Sequence, residues 1–432
     1  MSADRASLSL GPFLPRFALT MRDNHRTEAI VWLGFRHDDL VRARDLLKAA
    51  QDEGVLDELG FLALQGRFAD IFYPATSTLM RAARYLYFVA AMYRQLEREG
   101  FTSSQVAQAA RRRQDELRDV LARNEKIGVI GRDAGLQIKQ LPSSIYWSSL
   151  RQLGLFLANL SEAGYHGKFD ELRAQARGYT DDDKTRQSAD CVQFWDLDIP
   201  KPRFLNEEGA FRSSASFRLS RPEATDLHER FTTRFPDSLL VHLLRAESSD
   251  IPTPWAAPRP SAELARYLRH AEALSAFARG TTLQYYLLVT KARNDGGMGA
   301  ADESVPLCFG HWWHEARRIL LDWNLDEFAR LPGVGDALRV GTRGDISFFE
   351  SWLKRVRETS TSEALLADRE AQDTVRRREI EIKPTKARLK NRKYLENWSL
   401  PELGSGAYQL LYRHQIGIRF VREILLGRGG EV

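Results

Sequence analysis

Cysteine is almost missing from this chain: Cys191 and Cys308 are the only two in 432 residues. That excludes a disulfide framework and any zinc module built from paired CxxC ligands. So few thiols suit a reducing compartment, and the expected location is the cytoplasm. Long apolar runs are missing too. The longest, Tyr85 to Tyr93, is nine residues between Arg84 and Arg94, roughly half the length that spans a bilayer. It reads as a buried helix, and no membrane partner is expected. The N-terminal stretch has no basic segment followed by an apolar one, so no secretory signal is expected.

Signatures of chemistry are equally scarce. Gly128, Gly131 and Gly135 match neither GxGxxG nor GxxxxGK[ST], so no nucleotide loop is read there. No G-x-S-x-G elbow occurs, and neither cysteine has a neighbouring histidine. His311, His314 and Glu315 come nearest to a metal constellation, but the histidines are spaced i, i+3 around two tryptophans where a zincin needs i, i+4. The plainer reading is a helix whose Trp312 and Trp313 enter a core. Asp181, Asp182 and Asp183 read as a solvent-exposed acidic loop, and the pair His166 and Lys168 lacks the downstream aspartate of a phospholipase D motif. The sequence therefore predicts no catalytic residue, no metal and no cofactor.

What the chain does have is concentrated charge. Residues 376 to 393 (RRREIEIKPTKARLKNRK) carry nine Lys or Arg against two Glu, a local +7 on a chain whose total is +5. The remaining residues sum to −2, so the basic character belongs to one strip. Lys and Arg at this density suit a polyanion, because they displace condensed counterions from closely spaced phosphates. Pro384 is expected to end one helix and Thr385 to cap the next, over 385 to 398. Lys386, Lys390 and Lys393 would then form one stripe, with Arg388 and Arg392 on the opposite shoulder and Tyr394 and Trp398 packing the helix down. Arg376, Arg377 and Arg378 would extend the footprint.

Elsewhere the hydrophobic spacing is helical. It predicts helices over 39–52, from Thr76 or Ser77 to Glu99, over 103–125, and from Ser143 to Leu153. Further helices are expected over 261–279, 281–293, 310–321, 346–358, 362–382 and 406–426. Half of the sixteen prolines fall between 200 and 260, which predicts extended segments and short helices with few strands. The expected fold is mainly α. A helical N-terminal domain over 1–180 leads to a Pro-rich mixed region or linker over 181–260, then to a helical C-terminal domain over 261–432. Within the first, 127–157 suggests a helix-turn-helix or winged-helix-like element whose reading helix would offer Ser148, Ser149, Arg151 and Gln152. Arg81 and Arg84 sit in an apolar pattern and call for an ion pair, with Asp70 the nearest acid upstream.

Asp70 to Tyr87 (DIFYPATSTLMRAARYLY), Ile127 to Leu150 (IGVIGRDAGLQIKQLPSSIYWSSL), Phe235 to Leu240 (FPDSLL) and Lys386 to Trp398 (KARLKNRKYLENW) together resemble one bacterial family of unknown function. The resemblance covers nearly the whole chain, and its second stretch is the most specific. It brings Arg81, Arg84, Arg132 and the LPSSIYW segment across as shared positions without assigned roles. Ala75 stands where members of the family usually carry glycine. The resemblance implies a setting among helicase, nuclease and methylase genes of phage defence. The expectation is a nucleic-acid-associated accessory protein that binds DNA or scaffolds a helicase or nuclease partner. Its rivals are a divergent nuclease and a non-catalytic protein-binding subunit.

Overall fold

A computed structural model of the protein describes residues 58–177, 194–298, 303–342, 346–401, 403 and 409–429. Among these there are seventeen α-helices and no strand. The only β pairing is two isolated antiparallel bridges, Phe156 with Trp195 and Leu205 with Phe211. The expected helix over 39–52 lies outside the described residues.

Helix α1 (Leu62–Phe72) buries Leu64, Phe68 and Phe72 at four-residue spacing, the interval that stacks side chains on one face. Helix α2 (Tyr85–Glu99) is buried at every position from Tyr85 to Tyr93 and again at Leu96, and Gly100 ends it in the left-handed region. A helix apolar all round belongs at the centre of a core. The expected start at Thr76 or Ser77 is corrected: Thr76 to Arg84 form turns. Two amides that a helix would bond internally are taken by distant groups. Arg81 N donates to the Tyr146 hydroxyl at 2.8 Å, and Ala83 N donates to Glu423 at 2.6 Å.

Helices α3 (Val106–Asn124) and α4 (Pro142–Gln152) follow, the second with proline in its first turn, where the missing amide costs nothing. Short helices α5 (Glu162–Gly167) and α6 (Phe169–Arg177) complete this part. Tyr93, Trp147, Phe156, Tyr165 and Trp195 meet as one aromatic cluster, for example Trp147 on Phe156 at 4.7 Å and Phe156 on Trp195 at 4.8 Å.

The Pro-rich region is packed. Helix α7 (Arg221–Arg234) starts with a capping box of Ser220 and Glu223 and carries Pro222 in its first turn, and α8 (Leu239–Arg245) is capped by Ser238. Where it is described, the expected Pro-rich mixed region or linker over 181–260 packs within one compact unit with the helices on either side. Leu227 and Phe231 are buried, and Arg84 of the N-terminal part pairs with Glu223 at 3.1 Å. That also corrects the partner expected for Arg84; Asp70 pairs with Arg413 at 2.7 Å.

Helix α9 (Ala262–Asp295) runs unbroken for 34 residues, about 51 Å at 1.5 Å per residue. The separate helices expected over 261–279 and 281–293 are thus one. Between them Gly280 admits the Trp312 ring, which lies 2.2 Å from where a Cβ would stand, and the Trp312 indole donates to the Ala276 carbonyl at 2.8 Å. Trp312 belongs to α10 (Ser304–Leu321), which packs along α9. Then come α11 (Leu325–Ala329), α12 (Val334–Thr342), α13 (Ser347–Glu358), α14 (Ser362–Ala367), α15 (Arg369–Ile382), α16 (Arg392–Glu396) and α17 (His414–Arg428). The single helix expected over 362–382 breaks at Asp368, whose side chain caps α15 through the Ala371 amide at 2.8 Å.

Candidate nucleic-acid interface

The basic strip is built around a buried acid. Glu379, on the inner face of α15, is 0% exposed. Its Oε1 accepts the Tyr285 hydroxyl of α9 at 2.7 Å and the Arg388 amide at 2.8 Å, and its Oε2 accepts the Leu389 amide at 3.1 Å. Burial holds the Tyr285 hydroxyl far above its ordinary pKa, so it stays a donor. A buried carboxylate satisfied by three donors is a rigid template, and the chain from Lys383 to Asn391 folds over it as consecutive turns.

This corrects the expected helix over 385–398. Only α16 is helical there, so Lys386, Lys390 and Lys393 do not share one helical stripe. The carboxylate of Glu379 draws the amides of Arg388 and Leu389 inward, and those amides are lost to an i→i−4 ladder.

The eight candidate cations divide into two groups. Arg378 and Arg388 point into the protein, 4% and 8% exposed. Arg378 donates from Nε to the Leu59 carbonyl at 2.9 Å and lies over the Phe348 ring at 5.2 Å. Arg388 donates to the Tyr285 hydroxyl at 2.8 Å and pairs with Glu58, which also binds Lys383. These two guanidiniums hold the strip in place and face away from solvent. The other six face outward at least in part. Arg377, Lys386, Lys390, Arg392 and Lys393 are exposed. Arg376 is half-exposed and pairs with Asp373 at 2.5 Å, and Arg392 pairs with Glu396 at 2.8 Å. Lys386, Lys390 and Lys393 have no acidic partner within 4.0 Å among the described residues.

Sequence reasoning missed Glu58, Tyr285 and Glu379. Glu379 had one signal, being one of two acids inside a run of nine cations. Glu58 and Tyr285 lie more than ninety residues upstream and carried none.

The other candidates are dispersed. On α10, Trp312 and Trp313 are buried while His311, His314 and Glu315 face outward, and Glu315 pairs with Arg279 at 3.0 Å. No three His, Cys, Asp or Glu come together as a metal site among the described residues. Asp181, Asp182 and Asp183 lie outside those residues. Helix α4 keeps Ser143, Tyr146, Trp147, Ser149 and Leu150 in the core, with Ser149 Oγ on Met80 Sδ at 3.9 Å. Ser149 is therefore held in the core, and among the described residues no strand stands beside α4 to form the wing of a winged helix over 127–157. His166 shares the Tyr93 hydroxyl with Glu162, both at 2.8 Å.

Residues 27–427 match the model of a family of unknown function, DUF6361. The chain belongs to that family. The match takes in the strip, its Glu379 template and every helix up to the last residues of α17, so the interface lies within the DUF6361 region. No curated protein and no solved structure matches the chain. No helix among the described residues is long and apolar enough to cross a membrane.

Proposed function

We propose that this DUF6361 protein is a nucleic-acid-associated accessory protein that grips the DNA phosphate backbone through its basic strip. One observation carries the reading: Lys386 and Lys390, on turns pinned to the buried Glu379, and Lys393, in the first turn of α16, are exposed and have no acidic partner among the described residues. A cation on a fixed backbone costs less chain entropy to bind than one on a mobile tail, and each phosphate it neutralises releases a counterion. Lysines act as point charges without base-specific forks, so the contact is one of position rather than sequence. Arg377 and Arg392 widen the footprint. The family resemblance supports placing the protein in a bacterial phage-defence assembly beside a helicase or nuclease partner.

The test is a titration of the intact chain with random-sequence duplex at several salt concentrations. Three to five phosphate contacts predict a slope of log affinity against log salt of roughly −3 to −4.5. A slope near zero, or no binding at low salt, contradicts the proposal.

A further inference from the structure

A second group of cations without an acidic partner within 4.0 Å among the described residues surrounds the turn at Gly128. Without a Cβ, Gly128 lets the Phe217 ring come within 3.4 Å, and the Arg81 Cβ within 3.9 Å, of the point where that atom would stand. Asn124 Nδ2 donates to the carbonyls of Ser213 and Ala215, each at 2.7 Å, and the Phe217 amide donates to Glu125 at 2.5 Å. The Arg419 guanidinium donates to the Arg81 carbonyl at 3.0 Å, and that of Arg132 donates to the Glu125 carbonyl. These contacts bring Arg81, Lys126, Arg132, Arg218 and Arg419 together from four stretches of chain.

None of the five has an acidic partner within 4.0 Å among the described residues. Three acids lie near these five cations: Glu125, which accepts the Phe217 amide; the buried Glu423, which accepts the Ala83 amide and feels the Arg419 charge; and Asp133, exposed on the turn. Ile127, in the middle of this charge, is 83% exposed. A lone large apolar side chain among these cations suits a polymer that offers both charge and apolar edges. A protein partner would call for a wider apolar core, whereas four arginines and a lysine match closely spaced phosphates, onto which guanidinium forks two hydrogen bonds.

We propose that the surface formed by Arg81, Lys126, Arg132, Arg218 and Arg419 is a second nucleic-acid contact, with Ile127 packed against sugar or base edges. This goes beyond the strip but rests on the reading that the protein binds nucleic acid. Arg81, Lys126 and Arg218 have exposed side chains, so replacing them leaves the core untouched.

The experiment compares the intact chain, the variant Arg81→Glu/Lys126→Glu/Arg218→Glu, and the milder Arg81→Gln/Lys126→Gln/Arg218→Gln, each checked by circular dichroism. Binding to a 30-base-pair random duplex is followed by fluorescence anisotropy across a salt series. Each lost contact removes about 0.9 from the slope, so the Glu variant should flatten it by two to three and bind roughly tenfold or more weaker, with the Gln variant between. Wild-type slope and affinity in both folded variants would overturn the inference while leaving the strip reading intact. Absence of salt-dependent binding by the unmodified chain would overturn both. If polyglutamate competes with the patch and DNA does not, the surface is a protein site and the inference fails.

Discussion

The main-chain amide of Arg388 donates to the buried carboxylate of Glu379 at 2.8 Å, while the Arg388 guanidinium donates to Glu58 and to the Tyr285 hydroxyl, which in turn donates to Glu379. One residue is thus held at both ends, and the turn that presents Lys386 and Lys390 has little freedom left. Glu379→Gln keeps the shape but substitutes an NH2 for an acceptor facing a backbone amide. Losing one partner of a buried, charge-assisted network costs about 3 kcal/mol. The variant should lose about that much stability, and hydrogen exchange at Arg388 and Leu389 should quicken. Unchanged protection at those two amides would contradict the template.

Ala75 has a φ of +54°, in the left-handed region that favours glycine. A Cβ there costs about 1–2 kcal/mol, against about 0.5–1 kcal/mol of extra unfolded-state entropy for glycine. Ala75→Gly is expected to raise stability by up to about 1 kcal/mol in urea denaturation, and Ala75→Val to lower it. A clear loss in Ala75→Gly would show that the Ala75 methyl contributes more through packing than it costs in strain.

The strip's charge was legible in the sequence because composition survives folding, and so were the helical class and the inward tryptophans of α10. The strip's geometry was not. Periodicity sees only local bonding, whereas the turns from Lys383 to Asn391 follow from Glu379, and the late start of α2 follows from Tyr146 and Glu423. The break expected between 279 and 281 is absent for a different reason: Gly280 is a helix contact, its missing Cβ filled by Trp312. Proline density between 200 and 260 signalled irregular backbone correctly, yet irregular backbone there is packed onto α2 and α17.

The α9–α10 crossing offers a direct check of that contact. Gly280→Ala places a methyl against the Trp312 ring, and overpacking of this kind costs about 1–3 kcal/mol. In an ordinary exposed helix the same change stabilises by about 1 kcal/mol. Thermal or urea denaturation reads the sign, and a stabilised variant would mean the two helices are not in close contact.

Burial pushes the Glu423 carboxyl up to about 7, with Arg419 and the Ala83 amide pulling only partly the other way. An acid whose folded pKa is raised binds more protons folded than unfolded between about 4.5 and 7, so its contribution to stability falls as pH rises through that window. The loss is at most about 3 kcal/mol. Glu423→Gln should gain on the native protein at pH 8 relative to pH 5. Parallel stability curves for the two proteins over that range would contradict the assignment.

The most direct measurement of the central claim is duplex binding by Lys386→Glu/Lys390→Glu/Lys393→Glu, alongside the unmodified chain, over 50 to 200 mM salt. All three side chains are exposed, so circular dichroism and the unfolding midpoint should be unchanged. Three lost phosphate contacts predict a slope flatter by two to three. A folded triple variant with the same affinity and the same slope would show that the strip is an ordinary charged surface and that DNA, if bound, is held elsewhere.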